Sequence, residues 1–318
     1  MQPLRYIAGL ALALTLSFSA FAAQGTGRVT IPLSIDDSDR MSVWVEVGGE
    51  QSLAVIDTAA TYPMVDSHLL NTENSEPTGA EVRVIGVGGK RLFNETEVGP
   101  VKVGDTEFTK VSAAINGRAN FPGHRTVLPT ITFDARILDF NFPLGRLDIY
   151  NSRPDRMGDH VLSRLPYTTI GGLPFIQVKV NGVKGLALID TGSDVSYLNS
   201  VFAEQAGAVL KLDRTTELFG AAGEDSSTVK IMQVKKLNFG LHSKRKFEML
   251  SADTPIFAHL GLQNEAVMVM GLDTLRHFRM QIDREAGRVY LGRPESEHEG
   301  RRYRISPFSG RVRKAVTG

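Results

Sequence analysis

The chain has 318 residues, no cysteine, and 36 basic against 35 acidic side chains. Disulfides and thiolate chemistry are thereby excluded, and the near-neutral balance argues against a nucleic-acid binder and makes no case for a strongly acidic partner. The length exceeds what a single core usually serves, so one large or two smaller domains are expected.

Residues 1–22 read as a secretory signal: Arg5 lies in a short n-region, Ile7 to Phe21 is apolar or small, and Ala20-Phe21-Ala22 fits a cleavage site. No later run approaches the roughly 18 apolar residues of a membrane span, so no span is expected once the signal is cleaved. Without a lipobox cysteine there is no lipid anchor at the cleavage site either. An exported protein is expected, periplasmic or secreted, and a cysteine-free chain of this size suits a bacterial periplasm.

From Val29 onward the pattern is strand-like. Ser42-Val43-Trp44-Val45-Glu46-Val47 alternates, Gly48-Gly49 supplies a hairpin turn, and Ser52 to Ile56 returns. That return strand is Leu53-Ala54-Val55-Ile56 and ends in Asp57-Thr58-Ala59-Ala60. The same sentence is written again 133 residues later. Phe175 to Val180 alternates, Asn181-Gly182 turns, and Leu186-Ala187-Leu188-Ile189 ends in Asp190-Thr191-Gly192-Ser193. Further landmarks recur in parallel. Gly86-Val87-Gly88-Gly89 answers Gly220 to Gly223 at an offset of 134, and Leu144-Gly145-Arg146-Leu147 answers Ala286-Gly287-Arg288-Val289 at 142. A slowly growing offset is what an internal duplication with small loop insertions leaves behind. The expected division is a first lobe over 28–150, a linker over 151–166 that is rich in charge, Gly and Pro, a second lobe over 167–294, and a basic tail over 295–318. Helix is scarce, with candidates at Ser200 to Ala206 and Leu272 to Phe278. The fold class is mostly β, in two similar lobes.

An acid delivered by a buried strand is costly to desolvate, so it is paired, hydrogen-bonded or catalytic. Two such acids, one per lobe, resemble the pepsin and retropepsin group of aspartic peptidases. That pattern is two apolar residues, Asp-Thr/Ser-Gly-Ser/Thr/Ala, and much later two apolar residues and a glycine. The second half carries all of it in Asp190-Thr191-Gly192-Ser193 and Val269-Met270-Gly271, and the resemblance spans Ser42 to Gly292. It implies two retropepsin-like β-barrel lobes around an interlobe cleft, and an aspartic endopeptidase acting on peptide or protein substrates without cofactor or metal. Asp57 and Asp190 would be the catalytic acids, because metal-free hydrolysis needs one carboxylate to take a proton from water and one acid to polarise the carbonyl.

By the same resemblance, Thr58 and Thr191 would interlock across the lobes, and Gly192 would let the backbone approach the acids. Ser193 would place a hydroxyl on the outer oxygen of Asp190. Gly86, Val87, Gly88 and Gly89 would form a flap over substrate, and Gly220 and Gly223 would belong to a second; neither tip carries a tyrosine. The first lobe departs from the pattern twice: Ala59 replaces the motif glycine, and Pro129 stands where the second lobe has Gly271. A methyl at Ala59 crowds the acids if the glycine there needs a backbone conformation that L-residues avoid.

Plainer readings stand beside these. Asp57 can be the turn residue of a degenerate lobe, leaving a homodimer that uses Asp190 alone, whereas the single chain with both acids points to a monomer. A dead fold could instead bind extended peptides along its cleft. Gly86 to Lys90 fails as a phosphate loop because Arg91 follows where Ser or Thr is needed. The seven histidines show no metal-ligand spacing.

Overall fold

The computed structural model describes residues 27–35, 41–86, 89–118, 124–218 and 227–294. The signal segment 1–22, Val87, Gly88, Gly220, Gly223 and the tail 295–318 lie outside those ranges.

The first lobe runs through β1 (Val29–Pro32), β2 (Ser34–Ile35), β3 (Met41–Val47), β4 (Glu50–Asp57), β5 (Met64–Asp66), β6 (Ser75–Gly86), β7 (Gly89–Val98), β8 (Val101–Val103), β9 (Thr106–Phe108), β10 (Val111–Asn116), β11 (Thr126–Pro129), β12 (Ile137–Asn141) and β13 (Arg146–Tyr150). The second holds β14 (His160–Ile170), β15 (Leu173–Val180), β16 (Val183–Ile189), β17 (Tyr197–Leu198), α1 (Ser200–Gln205), β18 (Val209–Leu218), β19 (Ser227–Phe239), β20 (His242–Ser251), α2 (Pro255–His259), β21 (Val267–Met270), α3 (Leu272–Leu275), β22 (Arg279–Asp283) and β23 (Arg288–Pro294). The architecture is mostly β, with two sheets curled into half-barrels.

Alternation explains the hairpins. In β3, Val43, Val45 and Val47 are buried while Trp44 stands out, and in β15 Phe175, Ile176, Val178 and Val180 are buried. Both turns adopt the positive φ that tight hairpins require, at Gly48 (56°), Gly49 (93°), Asn181 (50°) and Gly182 (95°). The strands that end in the acids are buried towards the acid, at Ala54 and Ile56 in β4 and at Ala187, Leu188 and Ile189 in β16. Each lies parallel to a second strand, β4 beside β11 and β16 beside β21, and near-continuous apolar runs are what parallel, two-faced strands require.

Strand order repeats between the lobes. One sheet contains β10-β5-β11-β4-β3 and the other β20-β17-β21-β16-β15, so each acid sits at the same station of the same motif. Register supports the pairing of Pro129 with Gly271. Pro129 lies opposite Asp57, and the residue after the Ile189–Met270 pair on each strand is Asp190 and Gly271 respectively.

The lobes share a sheet. β12 pairs with β22 across the boundary, within the order β1-β13-β12-β22-β23-β14. Beside it, Arg279 forms a fork on Asp139, 2.9 Å from Nε to Oδ1, and reaches Asp155 at 2.8 Å, while Arg28 holds the other oxygen of Asp155 at 2.7 Å. The expected linker therefore needs correction. Residues 160–166 are strand within β14, aligned with β23 from His160 to Pro166, and Asp155 is tied by arginines to both lobes. Alternation was faint there because β14 bends from one sheet neighbour, β23, to another, β15. Of the helices, α1 and α3 fall where expected, whereas α2, begun by Pro255 at its first position, was not anticipated.

Candidate active site

Asp57 closes β4 and Asp190 follows β16, so both acids sit where a buried strand breaks into a turn. What brings the two turns together is a set of four hydrogen bonds. Thr58 Oγ1 donates to the Ile189 carbonyl at 2.7 Å and accepts from Thr191 N at 3.0 Å. Reciprocally, Thr191 Oγ1 donates to the Ile56 carbonyl at 2.7 Å and accepts from Thr58 N at 3.1 Å. Both threonines are buried. The interlock expected for Thr58 and Thr191 is thus in place, and it binds residues 133 apart in sequence.

The acids face backbone donors. Ala59 N donates to Asp57 Oδ1 at 2.6 Å, with Ala60 and Gly192 N–H groups adding to it. Asp190 Oδ1 accepts from Gly192 N and Ser193 N, both at 2.9 Å. Burial pushes the Asp57 carboxyl up to about 6 against the pull of those N–H groups. Asp190 is raised well above the carboxylate range, by burial first and then by the charge of Asp57. Two acids this close cannot both ionise cheaply, so they titrate as a pair.

They sit in an interlobe cleft with about 260 Å³ of room. Its apolar walls include Met41, Val84, Ile85, Leu218, Ile256 and Leu260, and Arg83, Asp194 and His259 also line it. Its cover is the β6–β7 hairpin, in register from Val84–Arg91 to Gly86–Gly89. Gly86 lines the cleft and Gly89 adopts φ 134°, while Val87 and Gly88 lie outside the described residues. A second hairpin, β18–β19, brings Leu218 to the same cleft; Gly220 and Gly223 lie outside the described residues.

Residues 176–274 match the family model described as aspartyl protease. Over that stretch the second lobe is similar to the aspartyl proteases. Among curated proteins no significant match was found.

At the site, Gly192 and Gly271 are required by close approach and not by φ. A Cβ on Gly192 would lie 2.3 Å from Asp57 Oδ2, and one on Gly271 would lie 2.6 Å from the Val195 carbonyl oxygen. At the first-lobe position Ala59 has a negative φ, since Asn181 and Lys246 are the non-glycine residues with positive φ among those described. Its methyl packs on the second-lobe cluster that contains Leu173, Phe175 and Leu188. The crowding considered for Ala59 therefore does not arise from backbone conformation. Ser193 differs from expectation: its hydroxyl donates to the Val195 carbonyl at 2.9 Å, not to Asp190, whose contact with Ser193 is through the backbone N–H. A hydroxyl has one proton, and the tight turn 193–195 offers the nearer carbonyl.

Sequence reasoning missed the supports behind the acids. Ser196 Oγ donates to Asp273 and accepts from Gly271 N at 3.0 Å, and the partly buried Lys244 ammonium stands 3.6 Å from Asp273. This brace fastens the turn after Asp190 to the strand end at Gly271. The first lobe has Pro63 and Pro129 at the matching stations and no such brace. There, Tyr62 donates to Glu95 on the flap strand β7, and Thr78 on β6 donates to the other Glu95 oxygen at 2.8 Å. Isolated polar residues of this kind carry no sequence signal, because their partners lie 17 to 77 residues away.

Proposed function

We propose that the chain is a single-chain aspartic endopeptidase in which Asp57 and Asp190 act as one proton-sharing pair. The observation that carries this is the reciprocal Thr58–Thr191 hydrogen bonding, which holds two strand-end acids in one cleft beneath a hairpin. In this reading the shared proton rests on Asp190. Asp57 faces three backbone N–H groups and Asp190 two, so the negative charge is better served on Asp57. A water held between them loses a proton to Asp57 as its oxygen attacks the peptide carbonyl, while Asp190 gives its proton to the carbonyl oxygen. The tetrahedral diol then collapses: a hydroxyl proton returns to Asp190, the proton on Asp57 passes to the nitrogen, and the C–N bond breaks. Both acids end as they began.

Peptides are the substrate class of the aspartyl proteases, and the apolar cleft walls suit extended chains carrying apolar side chains. With both acids in one chain, a monomer suffices. Residues 1–22 would export it to a bacterial periplasm or beyond, and no helix among the described residues is long and apolar enough to cross a membrane.

The test uses the purified full chain, an unfolded protein substrate between pH 3 and 8, and pepstatin. Asp57→Asn and Asp190→Asn should each abolish hydrolysis, and the double variant should be no worse than either, because members of a catalytic unit do not contribute additively. Hydrolysis that survives Asp57→Asn and depends on protein concentration would replace the single-chain pair with a homodimer of Asp190. Hydrolysis by neither wild type nor variants, with peptide binding retained, would leave a binding module.

A further inference from the structure

Besides the acid pair, the charged side chains lining the described part of the cleft are Arg83, Asp194 and His259. Asp194 lies beside Asp190 and adds to the negative charge around it. Arg83 is different. It is exposed on β6, the flap strand, and has no hydrogen bond or ion pair to any described residue. Its neighbours Val82 and Val84 pack on the first-lobe cluster of Met64, Phe93, Ala114 and Val127. Near the hairpin's end Arg83, Val84 and Ile85 all border the cleft, and of the three Arg83 is the exposed one. Between Val82 and Phe93 the hairpin carries Arg83, Lys90 and Arg91 and no acid. From the second lobe, α2 packs against both strands of the hairpin, and its last residue, His259, lines the same cleft.

A guanidinium presents a planar fork that matches a carboxylate bidentately, and one left unpaired in a narrow cleft is a recognition element without its partner. We infer that Arg83 is a specificity-determining residue that pairs with a carboxylate of the bound peptide, with His259 as a second donor from α2. This rests on the cleft being a peptide site. The carboxylate is either an acidic side chain or the peptide's own C-terminus, and the two share the chemistry that Arg83 reads.

Binding separates them, and also separates this inference from the catalytic one. The full chain carrying Asp190→Asn is titrated against fluorescein-labelled decapeptides of an Ala/Leu host, with Glu or Gln at each successive position, as free acids and as C-terminal amides. Circular dichroism checks the fold of each variant. At one position Glu should bind about tenfold tighter than Gln, or the free acid about tenfold tighter than the amide; the first outcome assigns a side chain and the second the terminus. Arg83→Gln should bring that ratio to within about twofold while leaving the Gln amide peptides unchanged, and Arg83→Lys should restore part of it. No carboxylate-dependent difference at any position, or a difference that survives Arg83→Gln, would overturn the assignment. Because Kd and not turnover is read, an inactive wild type would sink the catalytic proposal without deciding this one.

Discussion

Gly192→Ala is the sharpest perturbation the site offers, because it replaces a hydrogen with a methyl group where no carbon fits. The new Cβ would lie 2.3 Å from Asp57 Oδ2, 2.4 Å from Cγ and 2.9 Å from Oδ1. Non-bonded contacts of this kind settle near ~3.5 Å, so relief requires a displacement on the order of 1 Å. The 192 backbone and the Asp57 carboxylate must share it. Gly192 N also donates to Asp190 at 2.9 Å and to Asp57, so the movement loosens both acids at once. A misplacement of about 1 Å costs roughly 100-fold in rate, and forced overpacking destabilises by about 1–3 kcal/mol. Ala59→Gly is the control at the corresponding first-lobe position. It removes a methyl that packs on the second-lobe cluster, costs about 0.4–1 kcal/mol through the freer unfolded chain, and should leave kcat within about threefold. The assay is kcat for cleavage of an unfolded protein substrate, with thermal unfolding followed by circular dichroism on the same samples. A folded Gly192→Ala variant that keeps more than a tenth of the wild-type kcat would refute the argument from close approach.

Stability should depend on pH through the same acids. Both carboxyls are held above the ordinary value by burial, so the folded chain keeps protons that the unfolded chain has released above about pH 4. Their contribution is complete below that value and is lost as pH rises through about 6 for Asp57 and through the raised value of Asp190. The Asp57→Asn, Asp190→Asn double variant should therefore gain on the wild type between pH 4 and 7, by on the order of 2 kcal/mol, and melting curves that shift in parallel would contradict this. Hydrolysis should likewise peak on the acid side and fade once the shared proton is gone; a rate still climbing above neutral pH would count against the pair. Thr191→Val keeps shape but strips the Ile56 carbonyl of its 2.7 Å donor, so it should cost about 1–3 kcal/mol and reduce kcat, as read by chemical denaturation and turnover together. Ser193→Ala should change turnover by less than about threefold, since that hydroxyl serves Val195 and not an acid; a loss of 100-fold would restore the expected contact with Asp190.

The sequence by itself determined the features that are written locally. An apolar run broken by Asp-Thr, twice, marks two buried strands ending in acids, and Gly48-Gly49 and Asn181-Gly182 mark the hairpins that deliver them, because alternation and turn chemistry act over a few residues. The repeated landmarks also marked the turn between β6 and β7 and paired Pro129 with Gly271. What only the tertiary structure decided lies between segments far apart in the chain. Gly192 is needed because Asp57 comes to it from 135 residues away, not because its φ demands glycine. Asp155 is fixed by Arg28 and Arg279 from opposite lobes, which turned an apparent linker into part of the joint. Ser193 spends its single proton on a turn carbonyl, and α2 arrives beside the flap although no periodicity marked a five-residue helix. Short-range preferences are additive along a chain and can be read from it; close approach, shared donors and burial exist only once distant strands have met.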